Sequence, residues 1–237
     1  IYSPIIPVNL ISAAASKMSL KERIVDYIKF QVDKGVFESV VEAVTESYAA
    51  ADSVARDKIK NTNPTRVRAQ MRRYFTDDSM AGLFTNGMPT VHKTDPVGEH
   101  FVTLESGNVT ISHIELKENE WARNAKHREG LASKNSILQP YNLDLFEEPP
   151  PKTDDSLHIA ILVLRPSSKE ENQAEPVDIL ITVPHTDWRG YHLEIPIGLM
   201  ISSYGELKPE ASLTDGAWPS LKKEILAVED STERKEE

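Results

Sequence analysis

A basic cluster between residues 56 and 75 is the most suggestive chemical feature of the sequence. These twenty positions hold one acidic residue, Asp57, and seven cations: Arg56, Lys58, Lys60, Arg66, Arg68, Arg72 and Arg73. Guanidinium groups bind phosphate oxygens in paired hydrogen bonds, and a nearby amide can contact base edges. The cluster therefore predicts a nucleic-acid contact made by Arg66, Arg68, Gln70, Arg72 and Arg73, with Lys58 and Lys60 beside them.

Two other interpretations of the basic cluster stay open. Its charges could form a solvated helix face, or pair with the acidic stretch 140–180, where nine acidic residues outnumber three basic ones. They could also bind an acidic protein partner. Intramolecular pairing would describe a purely structural or adaptor protein, in which removal of residues 147–155 exposes an adhesive basic surface.

A second group of residues would suit metal-dependent chemistry. Asp95 lies twenty residues before Glu115, which begins the triplet Glu115-Leu-Lys117 at the end of a predicted strand. Two carboxylates can hold Mg²⁺ while a lysine orients the attacking water. The same acid-x-Lys spacing recurs at 206–208 and 233–235, so the pattern is not specific. A divalent-metal nuclease or phosphodiesterase is therefore the alternative function.

The segment 185–194 is dense in polar and aromatic residues. In a strand His192 and Glu194 would share a face, and with His185 they would form a two-histidine, one-carboxylate metal site. We prefer a simpler interpretation, in which Asp187-Trp-Arg-Gly190 is a turn between two strands. We therefore predict no metal site here.

Missing motifs exclude several classes of enzyme. The sequence has no cysteine, which excludes thiol nucleophiles and cysteine-ligated zinc or iron–sulfur centres. It has no P-loop, no G-x-G-x-x-G, no G-x-S-x-G and no H-E-x-x-H pattern. We therefore predict no cofactor and favour a protein that is not an enzyme.

Length and charge set the broad class. The chain has 237 residues and a formal net charge of −10, which argues against a uniformly cationic binder of nucleic acid or membranes. No apolar run approaches the roughly 20 residues of a membrane span. The absence of cysteine suits a reducing compartment, and we predict a cytoplasmic protein without membrane contact.

Periodicity predicts helices in the first part of the chain. Ser19 and Glu22 have capping-box spacing at the start of a first helix, and a second helix runs from about Phe37 to Lys60. Asn63-Pro64 begins a third helix, expected to end at Phe75 and to carry the basic cluster. We interpret residues 1–17 as an extension or disordered arm, and residues 76–100 as a loop.

Strand signals dominate the remainder. Residues 101–116 read as a hairpin that turns at 106–108, and residues 118–134 as a helix. A proline-rich acidic linker at 147–156 precedes strands at 157–164 and 177–183, and further extended segments at 191–195 and 197–202. A short closing helix at 219–228 and a disordered charged tail at 229–237 complete the chain.

These patterns predict an α+β fold made of two modules. A helical and hairpin-helix domain covers 18–146, and a mostly β module covers 157–228. We expect a non-enzymatic binding protein whose basic helix contacts nucleic acid or an acidic protein. The β module is expected to support protein–protein contact, with homo-oligomer formation as one form of it.

Overall fold

The computed structural model describes residues 19–83, 88–118, 120, 122, 125–138 and 156–206. The predicted extension 1–17, the closing helix 219–228, the tail 229–237 and all but the last residue of the linker lie outside the described residues. The described part is a mixed α+β fold with helices first and strands after them, which confirms the predicted fold class.

Three helices open the described chain: α1 at Leu20–Gln31, α2 at Lys34–Lys58 and α3 at Thr65–Ala81. The capping box is present, because the Ser19 hydroxyl accepts the Glu22 amide while the Glu22 carboxylate accepts the Ser19 amide. The Asn63 side chain accepts the Thr65 amide at 3.0 Å and so helps to begin α3. The prediction that α3 ends at Phe75 is wrong, since the helix continues for six more residues.

One mixed sheet contains every described strand. Its strands are β1 at Met88–Lys93, β2 at His100–Ser106, β3 at Val109–Lys117, β4 at Leu157–Arg165, β5 at Asp178–Pro184 and β6 at Tyr191–Pro196. They follow one another in sequence order, antiparallel except for the parallel pair β3–β4. The hairpin prediction is confirmed, and its turn uses Gly107 at a φ of +54°, where a side chain would be strained.

Three assignments from sequence need correction. The predicted loop 76–100 contains both the end of α3 and strand β1. The predicted helix 118–134 is shorter, with α4 at Lys126–Ala132 followed by a 3₁₀ helix at Ser133–Leu138. The extended segment 197–202 is a helix, α5 at Ile197–Ser203, followed by a 3₁₀ turn at Tyr204–Glu206. Ile197 and Met200, three residues apart, are its buried positions, as helical spacing requires.

The two faces of the sheet are covered by different parts of the chain. Ile159 and Ile161 of β4 belong to the larger apolar cluster, which also contains side chains of α1, α2 and α5. Ala160 and Leu162 face the other way and belong to a smaller cluster with Ala132 of α4 and Trp188. This alternation follows from the two-residue period of a strand, and it buries β4 on both faces as its apolar sequence predicts.

The sheet crosses the linker that was expected to separate two modules. Strand β3 lies before the linker and β4 after it, yet they pair in parallel from Val109↔Leu157 to Lys117↔Arg165. Strands assigned by sequence to two modules therefore share one sheet. Within the described ranges, no helix has the length and apolar character needed to cross a membrane.

Candidate functional site

A cleft opens where β2 and β3 separate. The two strands pair only from Ser106↔Val109 to Thr103↔Ser112. The first half of β2 stays paired with β1, while the second half of β3 stays paired with β4. The strands therefore diverge towards His100 and Lys117. Residues of both separated ends line one side of the cleft.

Helix α3 binds the backbone that β3 leaves free. The Arg73 guanidinium donates a hydrogen bond to the His100 carbonyl oxygen at 3.0 Å. Asp77, one turn later, lies 3.8 Å from Arg73 between the nearest charged atoms. The Arg73 bond gives a β2 carbonyl a partner at the point where β3 no longer pairs with β2, and so supports the open arrangement of the strands.

The cleft has a volume of about 920 Å³ and is bounded by α3, the 94–99 turn, β2, β3 and α4. Four arginines and two histidines from distant parts of the chain line it: Arg66, Arg73, His113, His127, Arg128 and Arg165. Ligand sites in proteins are typically concave and hold a few convergent polar groups. The charge and volume of the cleft make it the candidate functional site.

Arg73 and Arg128 both line the cleft and lie close enough for their charges to interact. Burial lowers the pKa of Arg128, and the nearby charge of Arg73 lowers it further. Burial, with both arginines, also lowers the pKa of His113 to about 4 and lowers the pKa of His127. Both imidazoles are therefore neutral at pH 7, and the arginines carry the positive charge.

Most acidic side chains at the cleft already have cationic partners. Glu99 lies 3.4 Å from Arg73, Asp95 lies 3.3 Å from Lys126, and Glu115 lies 3.7 Å from Arg165. Arg66 is exposed at the lip and makes no ion pair within the described part of the chain. Its guanidinium is the cleft cation most readily available to an anion.

The residues predicted to contact nucleic acid fall into three groups: residues that line the cleft, exposed residues outside it, and buried residues. Arg66, Gln70 and Arg73 line the cleft. Lys58 and Lys60 are exposed but are not among the residues lining the cleft, and Lys58 lies 2.9 Å from Asp57.

Arg68 and Arg72 are a correction, because they are buried, with only 8% and 3% of their surface exposed. Arg68 lies 2.8 Å from Asp52 of α2 in an ion pair. Arg72 packs over the Tyr48 ring, 4.4 Å from its centroid, and donates to the backbone carbonyl of Gln173. Their spacing of four residues directs both towards α2, so their role is to hold the fold together.

The described residues offer no set of metal ligands for the alternative function, a divalent-metal nuclease or phosphodiesterase. Asp95 and Glu115 line the cleft, but Lys117 does not. Asp95 is largely exposed and paired with Lys126, whereas burial raises the pKa of Glu115 against the opposing charges of Arg72 and Arg165. Among the residues that the structure describes, no three His, Asp or Glu side chains are grouped so as to hold a metal ion.

The segment 185–194 contains the predicted turn. The His185 amide donates to the Gly190 carbonyl at 2.9 Å, and Trp188 occupies the left-handed region at a φ of 57°. The rings of His185 and His192 lie 4.3 Å apart, while Glu194 is exposed on β6. Burial first, then His185, lowers the pKa of His192 to about 4.

The sequence interpretation missed Phe101, His127, Arg128 and Arg165 as cleft residues. His127 and Arg128 fell inside the helix predicted at 118–134 and showed no distinguishing spacing. Arg165 ends a strand whose parallel partner precedes a long connection. Only the three-dimensional pairing of β3 with β4 brings Arg165 beside Glu115.

Asp77 and His113 should give opposite contributions to the pH dependence of stability. Burial raises the pKa of Asp77 from 3.8 to about 6, so its contribution is complete below pH 3.8 and is lost as pH rises through 6. The pKa of His113 falls from 6.5 to about 4, so its contribution is present above pH 6.5 and is lost as pH falls through 4. Asp77→Asn removes the first contribution.

Urea unfolding of Asp77→Asn is therefore expected to show stability rising more steeply between pH 4 and 6.5 than in the wild type. Exposed Asp78, replaced by Asn, is the matched control. Parallel pH curves for the wild type and Asp77→Asn would contradict the burial of this carboxyl.

Comparison of the chain with known proteins found no matching family model, no similar curated protein and no similar solved structure.

Proposed function

We propose that the protein binds nucleic acid, with phosphates of the ligand lying in the cleft between α3, the 94–99 turn and α4. The observation that carries this proposal is the convergence of arginines from three separate elements. Arg66 and Arg73 come from α3, Arg128 from α4 and Arg165 from the end of β4, and all line one cavity. Such a cavity suits a ligand with several negative charges.

The chemistry at the lip supports a phosphodiester ligand. Gln70, Asn63 and Thr65 line the cleft beside Arg66 and offer neutral hydrogen-bonding groups. Arginine pairs with phosphate oxygens, while amides and hydroxyls contact sugars and base edges. The cleft lining also contains Asp77, Asp95, Glu99 and Glu115, so a polyanion would have to compete with these carboxylates for the arginines. Arg66, which makes no ion pair in the described part of the chain, is the cation that such a ligand would meet without this competition.

The salt dependence of binding tests the proposal. Fluorescence anisotropy would follow labelled single-stranded and duplex oligonucleotides titrated with the full chain between about 50 and 200 mM salt. If about three arginines neutralise phosphates, the log–log slope is about −2 for a single strand. Arg66→Gln should make the slope shallower by about 0.7. Absence of binding to either oligonucleotide at the lowest salt would overturn the proposal.

Removal of the Glu99 carboxylate should tighten binding. In the free protein Glu99 lies 3.4 Å from Arg73, and a phosphate would compete for the same guanidinium. Exposed pairs of this kind contribute about 0.2–1 kcal/mol, so Glu99→Gln should bind an oligonucleotide about 1.4- to five-fold more tightly.

The control for this variant is Glu105→Gln, which removes an equal charge from an exposed position on β2 that is not among the cleft-lining residues. Equal affinity changes in the two variants would show that net charge, and not release of Arg73, causes the effect.

A further inference from the structure

Three aromatic rings stack beside the arginines of the cleft. The Phe101 ring lies between two imidazoles, with centroids 4.9 Å from His92 and 4.7 Å from His127. The planes are tilted by only 20° and 28°, so both contacts are stacked. The three rings come from β1, β2 and α4, and we call them the ring stack.

His127 is the member of the ring stack that lies beside the arginines of the cleft. Phe101 and His127 both line the cavity, and Arg128 follows His127 directly in α4. Arg73 donates to the backbone carbonyl of His100, the residue before Phe101, and its charge acts on His127. The stacked rings of Phe101 and His127 and the guanidinium groups of Arg73 and Arg128 therefore line the same cavity.

We infer that the cleft binds an unpaired nucleic-acid strand, with a base stacked on His127 and the adjoining phosphate held by Arg73 and Arg128. The inference rests on the proposed function and names its ligand class. In a duplex the base faces are covered by their neighbours, so only an unpaired base can extend the ring stack. A cavity of about 920 Å³ is comparable to sites for ligands of nucleotide size.

The neutral state of His127 makes the stacking contribution separable from charge. Burial and the two arginines lower the pKa of this imidazole below its ordinary 6.5. At pH 8 the ring is uncharged, and His127→Ala therefore removes a stacking surface without removing a cation.

The test compares three fluorescent probes of about ten nucleotides at pH 8: oligothymidylate, an abasic strand of equal phosphate number, and a duplex. The wild-type chain should bind oligothymidylate about ten-fold more tightly than the abasic strand, and more tightly than the duplex. His127→Ala should abolish the preference for oligothymidylate over the abasic strand. His127→Phe should restore the preference for the base-bearing strand.

His185→Ala removes an imidazole that does not line the cleft and should behave as the wild type. Failure of all three probes to bind would overturn the proposed function. Equal wild-type affinity for the base-bearing and abasic strands would overturn the stacking inference while leaving nucleic-acid binding intact. A His127→Ala loss equal for both strands, or tighter duplex binding, would also overturn it.

Discussion

Replacing Arg72 with alanine is expected to lower the free energy of unfolding by about 3–5 kcal/mol, the usual cost of breaking a buried charged network. Arg72 is almost fully buried, covers the Tyr48 ring and donates to both the backbone and the side-chain oxygen of Gln173. Its removal leaves those oxygens without the donor and opens space between α2, α3 and the β4–β5 connection. Urea denaturation followed by circular dichroism measures the change.

Two further variants separate this explanation from a general loss of charge. Arg66→Ala removes an equal charge from the same helix at an exposed position and should change stability by less than about 0.5 kcal/mol. Arg72→Lys should recover only part of the loss, because an ammonium lacks the planar guanidinium surface that packs over the Tyr48 ring. Equal stability of Arg72→Ala and Arg66→Ala would contradict the buried position of Arg72.

Arg128→Gln is expected to weaken oligonucleotide binding by about ten- to a hundred-fold at low salt. Hydrogen bonds to charged groups contribute about 1.5–3 kcal/mol, which corresponds to that range of affinity. Glutamine keeps much of the side-chain length, and the Arg128 backbone carbonyl, which accepts the Trp188 indole N–H, is unchanged. Anisotropy titration measures the affinity, and circular dichroism checks that the variant is folded.

The control for Arg128→Gln is Arg56→Gln. Arg56 belongs to the basic cluster in sequence but does not line the cleft, and it pairs with Asp52 on α2. Binding that depends on the cleft should survive its loss within about two-fold, since it is a distant charge. An equal loss in both variants would mean that the basic cluster as a whole, and not the cleft, attracts the ligand.

The sequence predictions were accurate for structural features that depend only on residues close together in the chain. The capping box at Ser19 and Glu22, the Asn63-Pro64 start of α3 and the turn at Gly107 all act within a few positions, and all are present. Strand β1 was missed because five of its six residues are exposed, so no alternation of apolar and polar residues marks it. The apolar run of α5 was taken for a strand because short apolar runs do not distinguish the two.

The candidate site was only partly predictable, because charge density along a chain does not show which way a side chain faces. Of the arginines predicted to contact nucleic acid, Arg66 and Arg73 line the cleft, whereas Arg68 and Arg72, on the same helix, turn into the interior. Their partners are Asp52 for Arg68 and Tyr48 for Arg72, and both lie on the preceding helix, α2. The position of Arg165 depends on strand pairing across a long connection, for which local spacing carries no signal.

We propose the cleft between α3, the 94–99 turn and α4 as the place where nucleic acid binds. The most direct test is an amide-resolved NMR titration of the full chain with oligothymidylate. We predict that the perturbed amides concentrate in residues 65–73, 94–101 and 125–128, while the amides of α1 and α5 keep their positions. Perturbations concentrated on α1 and α5, or around Lys58 and Lys60 with the cleft unchanged, would contradict the account.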